Sequence, residues 1–151
     1  MKVKTNELIG RALDWAVAEC EGVDELVFSL YYEPTEATDF DSHGKPEFHY
    51  STMWHQAGPI IERESISIIR CDDDYQNFPD KWMAQKGVQS YCESTEHQQH
   101  DSMIQLSVEN DGSCFSKDGP MYGPTPLVAA MRCFVANTLG ERVDVPDWTV
   151  S

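Results

Sequence analysis

The chain has 151 residues, 40% hydrophobic and 11% aromatic, enough for one packed domain and too apolar for wholesale disorder. A net charge of −15 repels phosphate backbones, so non-specific DNA or RNA binding is not expected. No stretch approaches the roughly 18 consecutive apolar residues of a membrane span, and the first residues lack the apolar core of a signal peptide, which predicts a soluble cytoplasmic chain.

The first element is a helix over residues 6–20, with Thr5 as N-cap and Glu7 in the first turn. Leu8, Ile9, Ala12, Leu13, Ala16, Val17 and Cys20 recur at spacings of three and four and mark its buried face. Gly22 ends it, and Trp15 covers the edge of the core. Residues 26–32 (LVFSLYY) are rich in β-formers and read as a strand stopped by Glu33-Pro34. Pro34, Gly44 and Pro46 then make 33–49 a loop.

Residues 50–64 (YSTMWHQAGPIIERE) combine two aromatics, a histidine, a Gly58-Pro59 pair and a Glu-Arg-Glu triplet. The expected path is extended at Tyr50, with a fixed turn at Gly58-Pro59 that lets the segment face the last helix. Ile66-Ser67-Ile68 alternates as a half-buried strand and Asp72-Asp73-Asp74 ends it. Trp82-Met83-Ala84 is a short strand, and 85–101 is a polar insertion or mobile loop. A strand over 103–108 and a turn at Asn110-Asp111-Gly112 make a hairpin with 113–115.

The last helix is the best signalled. Thr125 caps it, Pro126 occupies its first position, and Leu127, Ala130, Met131, Phe134, Val135, Thr138 and Leu139 form its stripe. Gly140 ends it and 143–146 adds an edge segment. The sum is a single α+β domain over 1–151: a small antiparallel sheet of three to five strands packed with an N-terminal and a C-terminal helix.

The block at 50–64 resembles the NinX-like family of small phage and prophage proteins. The opening residues 1–18 (MKVKTNELIGRALDWAVA) resemble that family's N-terminal helix, and residues 123–136 (GPTPLVAAMRCFVA) its C-terminal helix. The middle, 72–101, is longer and more polar than the family pattern. The resemblance implies a phage-encoded accessory protein in the host cytoplasm, dispensable for virion structure and without assigned activity. It brings no catalytic residues.

Cys20, Cys71, Cys92, Cys114 and Cys133 are widely spaced, contain no C-x-x-C pair, and are expected as reduced thiols, with Cys20 and Cys133 in the core. No nucleophile-elbow, P-loop or HExxH pattern is present, so no enzyme, catalytic residue or cofactor is expected. His97 and His100, with Cys92, Glu93 and Glu96, offer metal-ligand atoms, but a polar surface loop is the plainer reading and no metal is expected.

Two binding readings remain. In the first, Tyr50, Trp54, His55 and Arg63 join Tyr122 and Thr125 at the amino end of the last helix. Ring stacking, the arginine fork and the helix dipole would then capture a small anionic, nucleotide-like ligand, as a counter-defence factor would. In the second, the acidic surface occupies a basic site on a host or defence protein, imitating nucleic acid. Solubility, capping and core packing are the plainer accounts of the same residues. Oligomeric state is not legible.

Overall fold

The computed structural model describes residues 1–31, 48–71, 81–86 and 120–150. Its elements are β1 (Lys2–Lys4), a 3-10 turn (Thr5–Glu7), α1 (Gly10–Cys20), α2 (Glu25–Tyr31), α3 (Trp54–Arg63), β2 (Ile66–Arg70), β3 (Trp82–Lys86), β4 (Met121–Gly123), α4 (Pro126–Leu139), β5 (Arg142–Asp144) and a closing 3-10 turn (Asp147–Thr149). Among the described residues, β2, β3 and β4 form a three-stranded antiparallel sheet and β1 pairs with β5 in a two-stranded one. The fold is α+β, with the C-terminal helix packed on the strands and the N-terminal helix.

α4 forms as its sequence dictates. The Thr125 hydroxyl accepts from the Val128 N–H at 3.2 Å, Pro126 fills a position that needs no donor, and Gly140 ends the helix at φ 96°. Every side chain from Leu127 to Ala136 is buried. A helix apolar all round must be covered on all sides. The sheet supplies one cover through Ile66, Ile68, Ala84 and Met121, and α1 and α3 supply others. Ile68, Ala84 and Met121 lie in register across the three strands, which puts them on one face.

Four expectations need correction. The strand expected over 26–32 is not found, because residues 26–31 lie in α2. The Asp24 carboxylate accepts the Leu26 N–H at 2.8 Å and supplies the helix start that β-propensity hid. Phe28 is buried while Leu26, which a strand would place on the same face, is 70% exposed. Gly58-Pro59 is no turn either, because α3 runs straight through it. Proline inside a helix forfeits one backbone bond. Burial of Ala57 and Ile60, with the Gln56 carboxamide accepting from the His49 N–H at 2.8 Å, outweighs that loss.

α1 starts at Gly10, not residue 6, and Ile9 stands at its cap. Thr5 instead donates its hydroxyl to the Gly140 carbonyl at 2.6 Å, tying the chain's start to the end of α4. The polar segment expected from residue 85 begins later, since Gln85 and Lys86 complete β3. The rest of 87–101, the predicted 103–115 hairpin and most of the 33–49 loop lie outside the described residues.

Gly123 marks the tightest joint. A Cβ there would lie 2.5 Å from the Ala129 nitrogen and 3.0 Å from its Cα, and backbone cannot retreat as a side chain can. Gly123→Ala is expected to cost about 1–3 kcal/mol. Urea unfolding measures it, and an unchanged midpoint would refute this close approach.

Candidate functional site

The residues proposed for a ligand site occupy three places. Tyr50 is half-buried at the edge of an aromatic cluster, 6.5 Å from the Phe48 ring. Phe48 stacks on Phe28 at 5.1 Å, and Phe28 meets Trp15 edge-on at 5.4 Å and Trp148 at 6.1 Å. Burial, and then the charges of Glu21 and Asp14, push the Tyr50 hydroxyl above its ordinary pKa. Trp54 and His55 open α3 a few residues on, both exposed, with Trp54 at 57% and Met53 before it at 43%.

Arg63 closes α3, a helix about 15 Å long, so it stands at the far end from Trp54. Its guanidinium donates to both Glu21 oxygens and to Glu64 at 3.1 Å, and lies over the Phe134 ring at 5.7 Å. Phe134 belongs to the carboxyl half of α4, whereas Thr125 caps the amino end. Arg63 therefore braces α1, α3 and α4 together. Its guanidinium is held charged first by hydrogen bonds to Glu21 and then to Glu64.

Tyr122 and Thr125 do lie together, in β4 and at the α4 cap. The Tyr122 carbonyl accepts from Arg132 at 2.6 Å, and the Thr125 hydroxyl is engaged in its cap. The six candidates thus divide into Tyr50 with Trp54 and His55, Arg63 in its ion pairs, and Tyr122 with Thr125.

Sequence reasoning passed over two buried charges. Arg132 donates to the Leu8 carbonyl at 2.8 Å as well as to Tyr122, joining the entry of α1 to β4. It is the one charged residue within α4, which was a readable signal. Asp14 is buried in α1 and accepts the Ser51 N–H at 2.7 Å, positioning the turn that leads into α3. An acid inside the apolar run ALDWAVA was the corresponding clue.

Burial pushes the Cys20 and Cys133 thiols up to about 12, leaving them protonated near neutrality. The His97–His100 group lies outside the described residues. No helix among the described residues is long and apolar enough to cross a membrane.

The chain with this α+β frame falls in a bacteriophage protein family. Over residues 4–107, more than half its length, the chain matches the family described as Bacteriophage P22, NinX, and it belongs to that family. The match takes in α1 and the 50–64 block and stops before α4. No curated protein matches the chain. Family membership assigns no activity.

Two substitutions separate bracing from ligand binding. Arg63→Ala should lower stability by about 1–2 kcal/mol, since it removes two carboxylate partners and a ring contact. An unaltered unfolding midpoint would return Arg63 to the ligand-site reading. Glu64 accepts from Lys86 at 2.6 Å and from Arg63. The Lys86 hydrogen bond chiefly holds its carboxyl below the usual 4.5, against a smaller opposing effect of burial. The stabilisation is therefore complete above that value and lost as pH falls through the depressed pKa. Glu64→Gln should cost about 0.5–1 kcal/mol at neutral pH, with the gap from wild type closing in thermal melts below pH 4.5.

Proposed function

We propose that the protein acts by binding, as a phage accessory factor that occupies a host or defence protein through the exposed helix start at Met53 and Trp54. The exposure of Trp54 carries the reading. Tryptophan is usually well buried, and at protein interfaces it is enriched among the residues that dominate affinity. Here it stands at the first position of α3 on a base made rigid by the Asp14–Ser51 and Gln56–His49 hydrogen bonds. A stiff base lowers the ordering cost of docking.

Capture of a nucleotide-like anion is the less favoured account. It needs a cation to grip phosphate, and Arg63 would have to leave Glu21 and Glu64 to provide one. The engaged guanidinium thus supports the protein-partner reading.

Affinity capture from host lysate with wild-type and Trp54→Ala protein tests the proposal. A specific protein held by wild type should be lost from the variant, with affinity down at least about thirtyfold and the unfolding temperature unchanged. Equal capture by both proteins would sink the reading. Heat on titration with cyclic or linear nucleotides, abolished by Arg63→Ala, would favour ligand capture.

A further inference from the structure

Beside the same aromatic cluster stands a second exposed surface. α2 buries Phe28 and turns Leu26 and Val27 outward, 70% and 37% exposed. Three carboxylates rim them: Asp24 and Glu25 at the start of α2, and Glu19 in the last turn of α1. Glu19 lies within electrostatic reach of Glu25, and burial followed by the charges of Asp144 and Glu25 raises its pKa. Glu21 and Glu64, by contrast, pair with Arg63 and Lys86. No described cation pairs with Glu19, Asp24 or Glu25.

We infer that this acid-rimmed apolar step receives a cationic segment of the partner protein, one in which lysine or arginine flanks a bulky apolar side chain. The apolar group covers Leu26 and Val27, and the flanking cations neutralise carboxylates that have no counter-charge among the described residues. A net charge of −15 steers such a segment toward the surface over distances where contact residues are not yet felt. Phe28 and Phe48 join α2 to the turn that leads into Trp54, so one partner can span both surfaces. The inference rests on the protein-partner reading above and specifies that partner's chemistry.

Selection of a displayed random-peptide library on the immobilised full chain tests it. Enriched peptides should carry lysine or arginine beside aliphatic or aromatic residues. A synthetic consensus peptide should weaken about two- to fivefold in Glu19→Gln and again in Glu25→Gln, and further as salt rises. Leu26→Ser should weaken it too, and all three positions are exposed enough to leave the fold intact. Enrichment of neutral or acidic peptides, or of none, overturns the inference, as does affinity indifferent to these three variants. Self-association through this surface, lost in Leu26→Ser by sedimentation, would also overturn it. Trp54→Ala keeps the two ideas apart: peptide or partner loss in that variant with no effect of the α2 changes leaves the Trp54 reading standing alone.

Discussion

The burial of α4 on every side is the constraint from which the other contacts follow. A helix with apolar side chains right round its axis cannot leave a face to water, so the protein must supply a sheet, two helices and a terminal strand pair to cover it. The one charge within it, Arg132, is tolerated because backbone carbonyls of Leu8 and Tyr122 receive it. Those carbonyls belong to the approach to α1 and to β4, so satisfying the arginine also joins the chain's start to the sheet. Gly123 completes the joint by letting β4 and the first turn of α4 touch backbone to backbone.

Around that pillar the polar interactions act at the ends of elements. Glu21, Arg63, Glu64 and Lys86 tie the carboxyl ends of α1 and α3 to the end of β3. Each such exposed pair is worth little alone. Their joint effect is positional, because they hold α3 by its last turn and leave its first turn facing water. Asp14 holds the turn before α3 from beneath. The exposed tryptophan is thus a consequence of how both ends of one helix are fastened.

Charge is unevenly divided along the chain. Most lysines and arginines fall in the described elements, where Lys4, Arg63 and Lys86 pair with carboxylates, while much of the acid, Asp72-Asp73-Asp74 included, falls outside the described residues. The rim of α2 is the place within the described residues where acids crowd without cations and next to exposed apolar side chains. Electrostatic attraction and apolar contact coincide there, and this gives the −15 charge a direction that composition alone lacks.

The sequence by itself determined α4, β2 and the start of β3. Their signals are local: a cap followed by proline, a closing glycine, and alternation over a few residues. It also carried the family, through the opening helix and the 50–64 block. Tertiary structure decided what local preference misreported. The β-formers at 26–28 became a helix because Asp24 capped them and one phenylalanine found the cluster. Gly58-Pro59 stayed helical because Ala57 and Ile60 had a place to be buried. The role of Arg63 was decided in the same way. Its fork chemistry is legible in the residue type, but its partner Glu21 is 42 residues away, and a long-range pair of that kind exists only once α1 and α3 have packed.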